Sequence, residues 1–169
     1  MCAKVLAIAN QKGGVGKTTT SISLSSALAR MGKKVLVLDL DPHACATLHA
    51  RIYPEGITCS LHDLFLAQED AWPVIWPDLI HVQALPGMDV APGSIRLSEL
   101  EVDFRERQAK GSVLLRSLTH VRDEYDYIIL DCPPHVGILL VNALVAADLL
   151  IIPIQTDFLA LHGLKLLFD

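Results

Sequence analysis

Two lysines and three glycines crowd one short stretch near the start of the chain: Lys12, Gly13, Gly14, Val15, Gly16 and Lys17, followed by Thr18, Thr19 and Thr20. Glycines let the backbone turn and approach a ligand where side chains would block it. Consecutive amides can then converge on phosphate oxygens, helped by the positive end of a following helix. Lys17 is placed to reach β- and γ-phosphates, and the Thr18 hydroxyl to ligate Mg2+. Thr19 either donates to an α-phosphate or simply continues the helix. The phosphate-loop spacing puts Gln11 where its first glycine belongs, and Lys12 is an additional cation inside the loop.

Three carboxylates fit the same chemistry. Asp131 ends "YIILD", the position from which an acid at a strand end holds a magnesium shell. Asp39 and Asp41 lie in "DLDP", at the end of another strand and at the carboxyl edge of the same sheet. Acids in such places also form turns and cap helices. Asp41, further into the loop and just before Pro42, suits a residue that orients an attacking water.

These groups need a scaffold. The segments 4–9, 34–40, 127–131 and 149–154 are short and aliphatic, and they read as strands of a parallel sheet buried on both faces. Between the first two, Ile22, Leu24, Ala27, Leu28 and Met31 suit a helix that Gly32 stops. Between the last two, 135–147 reads as an apolar helix. Strand–helix–strand repetition predicts a doubly wound, mostly parallel α/β sheet with a phosphate loop, in a single domain over 1–169. The middle is expected to hold a short helix near 60–67, a Trp-Pro turn at 72–77, a strand at 79–85, a Pro-Gly loop at 86–93 and a helix at 111–121. The last twelve residues, "FLALHGLKLLFD", read as a helix with no closing strand, so the sheet is expected to be truncated at its C-terminal side.

With 169 residues, 51% of them hydrophobic, the chain can bury one full core. A net charge of −5 argues against a uniformly basic nucleic-acid binder. Cys2, Cys45, Cys59 and Cys132 form no CxxC pair or zinc spacing, which suits a reducing cytoplasm. No apolar run reaches the ~20 residues of a membrane span.

"KGGVGKTTT", "DLDPHACAT", "DYIILDCPPHVGILLVNAL" and "IIPIQTDFLALHGL", taken in order, resemble the ParA/Soj-type partition ATPases of the wider group that includes MinD. The resemblance implies a phosphate-loop ATPase with ATP and Mg2+ as cofactors. In that family the additional lysine marks a deviant Walker A loop, and Lys12 would reach phosphates across a nucleotide-sandwich homodimer. A cation so placed is worth ~10³–10⁵ in rate for arginine fingers. The resemblance also implies that Gly13, Gly14, Val15, Gly16, Lys17, Thr18 and Thr19 cradle the nucleotide. It gives Thr18, Asp39 and Asp131 the metal, and Lys12, Lys17 and Asp41 the catalytic roles, Asp41 by positioning water. His135 stands where a serine is usual, and "HACAT" replaces a glutamine-glycine-asparagine run; His43 and His135 are read as structural or surface residues. The implied function is slow, partner-stimulated ATP hydrolysis in a dimerisation switch for chromosome or plasmid partitioning. A ParB-like partner and nonspecific DNA complete it, the DNA reached through the family's C-terminal third, in a cytoplasmic, nucleoid-associated protein. The alternatives are a MinD-like membrane-associated positioning ATPase and an ATP-dependent biosynthetic enzyme of the cobyrinic-acid diamide synthase or dethiobiotin synthetase type. An iron–sulfur carrier would need paired cluster cysteines, which the spacing does not supply.

Overall fold

Alternation along three aliphatic strands divides the core in two. In the computed structural model, which describes residues 2–102 and 111–156, β1 (Lys4–Ile8), β2 (Val35–Asp39) and β5 (Tyr127–Asp131) run side by side. Val5, Ala7, Leu36, Leu38, Ile128 and Leu130 enter one apolar cluster. Leu6, Ile8, Val35, Val37 and Ile129 enter the other. A strand that must bury both faces needs apolar residues at every position, which is why these segments show no polar alternation.

Among the described residues the sheet has six strands in the order β3-β4-β2-β5-β1-β6, with β3 at His81–Leu85, β4 at Met88–Ala91 and β6 at Leu149–Ile151. All neighbours pair in parallel except β3 and β4. Helix α1 (Lys17–Arg30) covers one face through Leu24, Leu28 and Ala29. On the other face lie α3 (Leu61–Leu66), α4 (Trp72–Leu79), α5 (Leu97–Val102), α6 (Val113–Ser117) and α7 (Ile138–Ala146). A short α2 (Cys45–His49) follows β2. Because β5 lies between β1 and β2, the carboxyl ends of three strands open on one crevice. Asp131 is the register partner of both Ile8 and Asp39.

Several expectations change. The Trp-Pro segment is a helix, not a turn: Pro73 occupies its first turn, where a missing N–H costs nothing, and Trp72, Trp76 and Leu79 form a buried i, i+4, i+7 stripe. The Trp76 indole donates to the Ser117 carbonyl at 2.9 Å. The Pro-Gly loop contains β4, which pairs with β2; its polar Asp89 is satisfied by Tyr125 Oη at 2.7 Å and the Gln83 amide at 2.7 Å. On α1, Met31 is exposed and Ala27 faces solvent, while Lys17, Ser21 and Ser25 are buried. Small hydroxyls there let the helix lie close to the strand ends. Finally, β6 is not buried on both faces: among the described residues it lies at the sheet's edge, and Leu149 and Leu150 are exposed. Helices α2 and α5 are additional to the expected elements, and the helix expected at 111–121 is α-helical only over Val113–Ser117 before it tightens into 3-10 turns. The other expected elements are found, trimmed at their ends, and the expected helix at 158–169 lies outside the described residues.

Candidate nucleotide-binding site

The loop between β1 and α1 is built around two left-handed glycines. Gly14 has φ 73° and Gly16 φ 88°, angles that a side chain strains. Gly16 also starts α1 with no side-chain cap, and the first turn holds no acidic residue. The first amides of this fourteen-residue helix thus receive no side-chain cap, and the positive end of its dipole lies beside the Asp131 carboxylate that Thr18 bonds. Gly13, Gly14 and Thr19 are exposed, whereas Val15, Gly16 and Thr18 are half-buried.

Lys17 is buried, and its ammonium reaches back to the Lys12 carbonyl at 3.4 Å. Lys12 is half-buried, with its amide anchored on Asn10 Oδ1 at 2.9 Å. Asn10 in turn donates to the Pro153 carbonyl at 2.8 Å, and Gln155 donates to the Gly14 carbonyl at 3.1 Å. The segment after β6 therefore braces the loop from behind.

Asp131 is fully buried and accepts from Thr18 Oγ1 at 2.7 Å and from Ser21 Oγ at 2.8 Å. Burial raises its carboxyl above the usual range, against the pull of those two hydrogen bonds. Asp39, also fully buried, accepts both the amide and the hydroxyl of Thr47 at 2.7 Å, and the Asp41 amide at 3.3 Å. Burial and the neighbouring Asp131 push Asp39 up to about 7. Asp41 accepts from the His43 amide at 2.9 Å and contacts His43 Nδ1 at 2.8 Å through the same oxygen. His43 is thus turned onto Asp41, while its ring remains largely in solvent.

The structure brings Thr18, Lys17 and Asp131 to one place and sets Asp39 beside them on the next strand. The oxygens of Asp39 are held by Thr47 and the Asp41 amide, not by Thr18. Among the described residues no three His, Cys, Asp or Glu side chains form a metal cage. One hydroxyl and one or two carboxylates are the protein's share expected for Mg2+, which keeps waters and takes phosphate oxygens for the rest. Cys132 is buried and its thiol is pushed far up by burial, so no reactive thiolate stands beside the site. Sequence reasoning missed Ser21, Thr47 and Asn10. Ser21 could have been found, since it lies one turn from Lys17 on the helix face that must meet the sheet.

A parallel sheet whose first strand feeds a left-handed glycine bend, an uncapped helix and a strand-end acid defines the class: a phosphate-loop nucleoside-triphosphatase fold. The chain matches the AAA domain family AAA_31 over residues 3–169, and it belongs to that family. It is 41% identical over 166 residues to the sporulation initiation inhibitor protein Soj of Bacillus subtilis, covering 98% of this chain and 64% of Soj. It is 40% identical over 163 residues to the chromosome partitioning protein ParA of Caulobacter vibrioides, covering 95% of this chain and 59% of that one. Among solved structures, cobyrinic acid a,c-diamide synthase from Mycobacterium smegmatis, with bound ATP analog and magnesium, superposes with a TM-score of 0.87 at 37% identity, covering 98% of this chain and 66% of that one. The resemblance to ParA/Soj-type ATPases is therefore sound, and the chain spans about three fifths of the length of these curated relatives. Among the described residues no helix is long and apolar enough to cross a membrane.

Proposed function

We propose that the chain is the nucleotide-binding part of an ATP-driven dimerisation switch of the partitioning type, which hydrolyses Mg·ATP. The observation that carries this reading is the Thr18–Asp131–Ser21 cluster at the mouth of an uncapped, glycine-started helix. The residues fit a nucleotide. The first turn of α1 has no side-chain cap and no acid of its own, and Lys17 holds its ammonium on a loop carbonyl that a phosphate oxygen can replace. Thr18 and Asp131 would hold Mg2+, directly or through water, with Asp39 behind them; the metal would neutralise charge developing on the transferred phosphoryl group. Asp41, oriented by its contacts to His43, would hold a water at the open side of the crevice. Lys12 would act on the nucleotide of a second copy, as in the resembling family. The similarity to Soj and ParA favours partitioning, with a ParB-like partner and nonspecific DNA as the platform. The reading places the protein in the cytoplasm, on the nucleoid.

A second reading, ATP-dependent amide formation, is favoured by the name of the superposed Mycobacterium structure. Lys12 and the Asp39–Asp41 arrangement are the features that favour the switch. Sedimentation of the whole protein carrying Asp41→Ala, with saturating Mg·ATP and with or without DNA, separates the two. A trapped dimer that pellets with DNA is the expected result. A protein that stays monomeric with nucleotide bound refutes the switch.

A further inference from the structure

The segment that leaves β4 touches the helices that follow both acid-bearing strands. At its start the Gly93 amide donates to Thr47 Oγ1 at 3.0 Å, and Thr47 holds Asp39. At its end, on α5, the Glu101 carboxylate accepts the Ile138 amide at 2.9 Å and the Leu139 amide at 3.3 Å. These are the first two amides of α7. The helix's own N-cap, Gly137, supplies no side-chain cap, and its first turn holds no acid. A carboxylate from another helix thus does the work of an N-cap, with charge-assisted hydrogen bonds. Its side chain is only 13% exposed, and His135 Nε2 lies 3.6 Å from the same carboxylate.

The fit depends on what is missing at residue 137. A Cβ there would fall on the Glu101 carboxylate, so the glycine opens the space that the acid fills. Between Asp131 and α7 lie six residues, two of them prolines, Pro133 and Pro134. So short and stiff a link passes any shift of the α7 start back to the end of β5. At that end, Cys132 is pinned by its amide to the Ile8 carbonyl at 3.2 Å, and Asp131 by Thr18 and Ser21.

Building on the proposed function, we propose that Glu101 is a positioning residue for ATP hydrolysis: it fixes the start of α7 and thereby the 132–137 link that runs on directly from Asp131. It touches neither Lys17 nor Thr18, so nucleotide affinity, set by the glycine loop, does not depend on it. The rate of the chemical step does, because misplacement of reacting groups by about 1 Å costs ~100-fold.

The test compares Glu101→Ala, Glu101→Gln and Gly137→Ala in the whole protein, measuring steady-state Mg·ATP hydrolysis and equilibrium ATP binding. Glu101→Ala is expected to lower kcat by about tenfold or more, within the ~100-fold bound for misplaced groups, while ATP affinity stays within about threefold. Glu101→Gln, which keeps an acceptor oxygen for one amide, recovers part of the rate. Gly137→Ala, which evicts the carboxylate without deleting it, reproduces the loss; if Glu101→Ala does not fold, this variant and the glutamine carry the comparison. Unchanged kcat in these variants, or a parallel loss of kcat and affinity, overturns the positioning role. A wild-type protein that binds no nucleotide instead refutes the proposed function, so the two failures are distinguishable.

Discussion

Asp39→Asn should abolish a pH-dependent weakness of the nucleotide-free protein. Asp39 is fully buried, and its carboxyl is raised from 3.8 to about 7 by burial first and by Asp131 second. Between those two values the folded chain keeps a proton that the unfolded chain has released. Stability conferred by this group is thus complete below about pH 4 and falls as pH rises towards 7, by ~1.4 kcal/mol per unit. A shift of roughly 3 units corresponds to about 4 kcal/mol over the full range. The asparagine keeps a carbonyl for the Thr47 donors and carries no titratable proton, so its stability lacks this slope. Urea unfolding of both proteins from about pH 5 to pH 8 should therefore show the variant gaining about 3 kcal/mol on the wild type as pH rises. Histidines and the other acids titrate in both proteins and largely cancel in the difference. Parallel stability curves would refute the claim that Asp39 is held protonated by its surroundings.

Other perturbations test the rest of the site. Lys17→Ala removes the ammonium that faces the phosphate bend and should weaken ATP binding about 10- to 100-fold by calorimetry, the range for a lost charge-assisted hydrogen bond. Thr47→Val strands the Gly93 amide and removes a donor from Asp39, and should cost about 1–3 kcal/mol in denaturant unfolding. Gly93→Ala places a Cβ 2.5 Å from the Asp39 carbonyl, a backbone atom that cannot step aside, and should lower stability by about 1–3 kcal/mol.

The phosphate end of the site was legible because it is local. β1, the glycine loop and α1 are consecutive in the chain, and Asp131 announces itself as the acid that closes an aliphatic strand. Contacts between distant segments left no such mark. Thr47 looks like an ordinary helix residue until β2 and α2 fold together, and Glu101 looks like one of several surface acids until α5 meets α7. The missed strand β4 fails for a different reason. Four residues after a Pro-Gly turn, with a polar Asp89 among them, carry too little pattern to compete with turn chemistry. The Trp-Pro helix was hidden by the same bias: Pro73 in its first turn costs nothing, and the second proline, Pro77, sits inside this short helix, where sequence patterns argue against it.

The choice of partners for the two buried acids fits the proposed function. Among the described residues neither forms an ion pair with an arginine or a lysine. Thr18 and Ser21 hold Asp131 through their hydroxyls, and the Thr47 hydroxyl holds Asp39 together with the Thr47 and Asp41 amides. Breaking a buried ion pair by removing one partner costs ~3–5 kcal/mol and strands a charge. Hydroxyl partners are cheaper to exchange, because a rotated Ser or Thr side chain finds other acceptors and each net hydrogen bond is worth only about 1–3 kcal/mol. On the proposed reading, two acids held by hydroxyls, one of them raised to about 7, would be the carboxylates that a cation draws on. The buried ammonium of Lys17 at that crevice is turned onto the Lys12 carbonyl at 3.4 Å and not onto either acid, so both carboxylates keep uncharged partners.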